Sequence, residues 1–105
     1  MNVRWSERAL NHAEAAARYI ARDRPLASIH WTQELFDTVL RLGDFPESGR
    51  AVAGIDNPRL REVVFENVRV VYHIDPTEIV VLIVWHTRRD PRKLLRQLRA
   101  YRVPT

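Results

Sequence analysis

The stretch VVLIVWHTRRDPRKLL, from Val80 to Leu95, runs an unbroken apolar block into His86, Thr87, Arg88 and Arg89. An imidazole moves protons near neutral pH, and a guanidinium grips two oxygens of a phosphate or carboxylate at once. Aimed off the end of a buried strand, such groups suit a catalytic site, a nucleic-acid surface or a surface that docks protein. A second group of arginines, Arg59, Arg61 and Arg69, lies upstream in segments rich in β-branched residues. Strand alternation puts Arg59 and Arg61 on one face with Val63 and Phe65, and Arg69 on a face with Val71 and His73. A charge there is costly unless paired or wet, so Arg69 either meets a carboxylate, Glu62 or Glu66 being nearest, or lines a cleft.

Other chemistries find little support. The histidines at 12, 30, 73 and 86 form no i, i+4 pair and there is no cysteine, so no metal site is expected and disulfides and thiolate nucleophiles are excluded. His12 and His30 read as helix-surface residues. Ser28 and Ser48 lack the strand-to-helix turn of a serine nucleophile, and Ser6 reads as a helix cap. Gly43, Gly49 and Gly54 do not follow a strand and open a helix, so no phosphate loop and no cofactor is expected.

The elements that must carry these residues follow from two periodicities. MNVRW alternates Val3 and Trp5 against polar neighbours, as a half-buried edge strand does. After Ser6, the residues Leu10, Ala13, Ala17 and Ile20 share one helical face. Pro25 opens a second helix, in which Ile29, Phe36, Val39, Leu40 and Leu42 keep helical spacing until Gly43, expected as a left-handed cap. So short a connection makes the two helices an antiparallel hairpin. GDFPESGR and AVAGIDNP read as loop. The period then becomes two: RLREVVFE (59–66), VRVVYHI (68–74) and EIVVLIVWH (78–86) are strands joined by turns too short for anything but antiparallel pairing. The last has no polar alternation and is expected at the sheet centre, covered on both faces. Asp90 and Pro91 start a basic C-terminal helix. The expected fold is α+β: an antiparallel twisted sheet, made of a short N-terminal strand and a three-strand meander, packed by an N-terminal helical hairpin and followed by a short C-terminal helix.

A chain of 105 residues with 46% hydrophobic and 29% charged residues is expected to form a single folded domain over residues 1–105. Residues 1–85 hold 10 basic against 12 acidic residues, whereas residues 86–105 hold seven basic residues against Asp90 alone. The positive charge is therefore a property of the C-terminal end. No apolar run has the length of a signal peptide or of a membrane span, which points to the cytoplasm.

FPESGR (45–50), LREVVFENVRVVYHI (60–74) and IVVLIVWHTRRDP (79–91) resemble, in order and spacing, the signatures of the RelE/ParE superfamily of bacterial type II toxins. SERALNHAEAAARYIARDRPLASIHWTQEL, from Ser6, resembles the helical hairpin of its ParE branch. The likeness spans Trp5 to about Leu95. RelE-like members cleave messenger RNA on the ribosome with basic residues on the strand before the central one, an arginine on the central strand, another at the end of the last strand and a tyrosine beyond. Arg69 and Arg88 match the two arginines. Leu60 and Glu62 stand where basic residues belong, and Leu94 where the tyrosine belongs. A ribonuclease reading would rest on Arg69, Arg88 and His86, with His73 or His86 supplying the missing acid–base group.

The ParE-like branch resembles the chain more closely, notably in VWHTRRDP. This resemblance implies a growth-arresting toxin that inhibits DNA gyrase, without catalysis of its own. A ParD-like antitoxin would neutralise it, and its contact with DNA would be only indirect, through the antitoxin complex. The residues expected to meet the target are His86, Arg88 and Arg89, with Arg69 in support. Trp31, Arg59 and Arg61 are expected to meet the antitoxin. A third reading, a nucleic-acid module, would use Arg92, Arg96 and Arg99 along the last helix. Leu94, Leu95 and Leu98 on its other side favour a helix docked on the sheet or under an antitoxin.

Overall fold

The computed structural model describes residues 1–101. Strand β1 (Asn2–Trp5) turns Val3 and Trp5 inward. Ser6 ends it and caps α1 (Glu7–Ala21), its Oγ accepting from the Ala9 N–H at 3.0 Å. Pro25 sits in the first turn of α2 (Pro25–Leu40), which runs into a single 3₁₀ turn, Arg41–Gly43. The remaining elements are β2 (Arg50–Ala51), β3 (Leu60–Phe65), β4 (Val68–Ile74), β5 (Glu78–His86) and α3 (Pro91–Ala100). Asp90 caps α3 by accepting the Arg92 N–H at 2.9 Å.

The sheet order is β1-β5-β4-β3-β2, so β5 is central and the α+β architecture is the expected one. Two details differ. First, β1 pairs parallel with β5 and the other pairs are antiparallel, which makes the sheet mixed. The pairing is possible because the chain between β1 and β5 is long enough for a crossover. Second, Arg50–Ala51, expected as loop, pairs with Glu62 and Arg61. Tyr72 draws this segment in: its hydroxyl donates to Pro46 O at 2.7 Å and accepts from the Gly49 N–H at 3.0 Å. Gly49 is required there, because a Cβ would lie 2.5 Å from that hydroxyl.

Both faces of β5 are covered. On one, Ile79, Val81 and Val84 join Val70 and Tyr72 of β4 under Ala9, Ala13, Trp31, Leu35 and Val39 of the helical hairpin. On the other, Val80, Leu82, Ile83 and Trp85 join Leu60 and Val71 under Leu94 and Leu98 of α3. Each fully buried aliphatic side chain contributes about 1.5–3 kcal/mol, so this strand is the best-anchored segment of the chain.

The expected helix faces need correction. On α1 the buried residues are Ala9 and Ala13, and Leu10 is exposed. On α2 the core line is Ser28, Trp31, Leu35 and Val39, whereas Ile29, Phe36 and Leu40 face outward. The helix carries two apolar stripes, and periodicity alone does not say which one the sheet takes. Gly43 is not a left-handed cap; it lies in the 3₁₀ turn, where a Cβ would sit 2.4 Å from Met1 O. Among the described residues the left-handed non-glycine position is Glu66 (φ 50°), which with Asn67 forms a two-residue turn between β3 and β4.

Candidate functional site

A bulge in β5 decides where the candidate residues point. Tyr72 pairs with Val81 and Val71 with Ile83, which leaves Leu82 as an extra residue. Leu82 and Ile83 therefore both pack on the α3 face, and Val84 and His86 swing to the hairpin face. Strict alternation would have placed His86 on the α3 side. Because β1 stops at Trp5, the adjoining backbone of β5 takes its partners from α1. Ser6 Oγ donates to Leu82 O at 3.0 Å, and the Val84 N–H donates to His12 Nδ1 at 3.3 Å. His12, expected on the helix surface, is thus a half-buried acceptor for the central strand. Burial first, then the charges of Arg89 and Arg8, holds its pKa below the usual histidine range, which keeps it neutral and able to accept.

His86 ends β5 with both ring nitrogens engaged. Nδ1 accepts the Arg88 N–H at 3.0 Å, so a neutral ring carries its proton on Nε2. Nε2 lies 3.2 Å from the Asn67 carboxamide, which must then present its oxygen, the two ends of an amide being interchangeable by rotation. The Thr87 N–H also bonds Asn67 O, at 2.8 Å, and fixes the corner on the β3–β4 turn. A histidine committed on both sides orders a turn; it is poorly placed to exchange protons with a substrate.

Arg88 and Arg89 follow on this corner, both exposed. Arg88 makes no side-chain hydrogen bond or ion pair among the described residues. The Arg89 guanidinium carbon lies 3.8 Å from the Trp85 ring centre, a cation–π contact that orders the side chain without using its N–H donors. Between α1 and the ends of β4 and β5 a cleft of about 340 Å³ is lined by His12, Tyr19, Trp31, Asn67, His86 and Arg89, among others.

Arg69 is elsewhere. It is the β4 partner of Trp85, so it lies on the α3 face, opposite to His86. Its Nε and Nη2 reach Glu62 Oε2 at 2.7 and 2.5 Å, while Arg50 Nε takes Oε1 at 2.9 Å. The pairing alternative for Arg69 is the one realised. The ribonuclease set Arg69, Arg88 and His86 is not assembled, since its histidine and its strand arginine sit on opposite sides of the sheet. His73 offers no substitute: it is buried, with Nδ1 2.5 Å from Asp75 Oδ1.

The residues expected to meet an antitoxin separate as well. Trp31 is a core residue, 6% exposed, its ring 5.9 Å from Phe65, and it contributes to the cleft wall. Arg61 donates to Gly49 O at 2.8 Å and Pro58 O at 3.0 Å, at the other end of β3. Arg59 is exposed and its side chain has no bond among the described residues. On α3, Leu94 and Leu98 are buried and Arg92 is paired with Asp90 at 3.0 Å, as in a helix docked on the sheet. Among the described residues no three His, Cys, Asp or Glu side chains cluster as metal ligands, and no helix is long and apolar enough to cross a membrane.

The model of the family described as ParE toxin of type II toxin-antitoxin system, parDE, matches residues 3–91. The chain belongs to the ParE toxin family. The same fold occurs in a solved chain of the chromosomal ParDE toxin–antitoxin system from P. aeruginosa, which it matches with a TM-score of 0.71 at 16% identity, over 84% of this chain and 97% of that one. No curated protein matches it significantly. The ParE match runs from β1 through the corner to Pro91, so the elements that position His86, Arg88 and Arg89 are family elements.

Proposed function

We propose that this ParE-family chain arrests bacterial growth in the cytoplasm by gripping DNA gyrase with the β5–α3 corner, and that a ParD-like antitoxin neutralises it. The observation that supports this most is the corner itself: two adjacent exposed arginines, one stacked on Trp85 and one without a partner among the described residues, on a rigid strand end. Such an array engages an acidic surface by charge and hydrogen bonding. Among the described residues the two histidines beside it, His12 and His86, are engaged in hydrogen bonds to backbone and Asn67, which favours binding over phosphodiester cleavage. Arg59, exposed and uncommitted among the described residues, is the antitoxin contact we favour, with Trp31 in the cleft wall.

Expression alone should arrest growth, and co-expression of the cognate antitoxin should relieve the arrest. Purified chain should inhibit gyrase supercoiling and trap cleaved DNA, while translating ribosomes keep their messenger intact. Ribosome-dependent cuts with unaffected gyrase would replace this reading with the ribonuclease one.

A further inference from the structure

The second apolar stripe of α2 consists of Leu26, Ile29, Phe36 and Leu40, 72%, 54%, 38% and 67% exposed, with Gln33 at the middle position. Their spacing of three, four, three and four residues is that of a coiled-coil seam. Phe36 is held from inside by the Trp5 ring, centroids 4.6 Å apart, and the others project from the molecule. A seam of this length on a solvent-facing helix marks an interaction surface, since a helix face with no partner is normally polar.

The order of side chains says which partner fits. Read from either end, the seam runs large aliphatic, large apolar, Gln33, large apolar, large aliphatic. We propose that a second copy of this chain covers it, α2 lying antiparallel on α2 about a two-fold axis at Gln33. Leu26 then meets Leu40 of the other copy, Ile29 meets Phe36, and the two Gln33 amides, each with a donor and an acceptor, satisfy one another. The polar border is also self-complementary, because antiparallel pairing sets His30 of one helix beside Asp37 of the other, twice. A helix pair about 21 Å long covers less than the roughly 1,600 Å² of a standard interface, so association is reversible and grows with concentration. This inference is independent of the gyrase proposal.

Sedimentation velocity on the purified full chain, over a wide concentration range, should show a monomer–dimer equilibrium. Leu26→Asp and Leu40→Lys, both at exposed positions, should each weaken dimerisation about tenfold or more while leaving the circular dichroism spectrum unchanged. The double variant should recover it, because the new carboxylate of one copy faces the new amine of the other. A chain that stays monomeric throughout overturns the proposal, including the case in which only an antitoxin occupies the seam. A dimer indifferent to both single changes, or one not restored by the double change, also overturns it.

Discussion

Two groups of arginines stand at opposite ends of the same physical scale. On β2 and β4, Arg50 and Arg69 close on the buried Glu62, which is 3% exposed and accepts from both. At the β5–α3 corner, Arg88 and Arg89 have no carboxylate within reach among the described residues. The difference lies in where the nearby acidic side chains point. Glu62 faces the α3 side of the sheet, as Arg69 does, so the central-strand arginine is consumed by structure. The corner arginines stay available because Asp90, the acid next to them in sequence, turns instead to cap α3 and pair with Arg92. Charge that holds the fold and charge that can hold a partner are thus separated by a few residues of backbone.

The largest expected effect falls on the first group. Glu62→Ala strands Arg69 without a partner and should cost about 3–5 kcal/mol in chemical denaturation, whereas Arg88→Ala should change stability by less than about 0.5 kcal/mol. Equal costs would erase the contrast. Gly49→Ala drives a Cβ into the Tyr72 hydroxyl and Glu62 O, 2.5 and 2.7 Å away, and should lower the unfolding midpoint by the equivalent of about 1–3 kcal/mol. At the turn beneath the corner, Glu66→Gly relieves a left-handed backbone (φ 50°) and should raise stability by about 0.5–1 kcal/mol.

The smallest effect is a pH slope set by His12. Its folded pKa lies below the unfolded value near 6.5, so the unfolded chain binds more protons between the two. The stability contributed by neutral His12 is complete above about pH 6.5 and is lost as pH falls from there through the folded pKa. Denaturation midpoints measured across that window should fall on acidification in the native chain. In His12→Ala the slope should be shallower.

Composition and periodicity sufficed for the meander, the hairpin, both capped helix starts and the central place of β5. They were silent on two matters that decide the site. The face of His86 depends on one extra residue at Leu82, and an apolar run of Val, Leu and Ile carries no mark of a bulge. The role of His12 depends on β1 ending early enough to leave the Val84 N–H open, a consequence of strand length and not of the histidine's own surroundings in sequence. The buried face of α2 is not legible in its sequence because two apolar stripes share the helix, and only the sheet's shape chooses between them. Arg61, expected to meet an antitoxin, is instead held by loop carbonyls of Gly49 and Pro58 that no local pattern announces.

The corner arginines should act on a partner and not on the fold. The direct measurement compares Arg88→Ala/Arg89→Ala with the native chain for thermal midpoint and for growth arrest after induction without antitoxin. The double variant should keep a midpoint within a few degrees of native and lose the arrest. Full arrest by a folded double variant would contradict it.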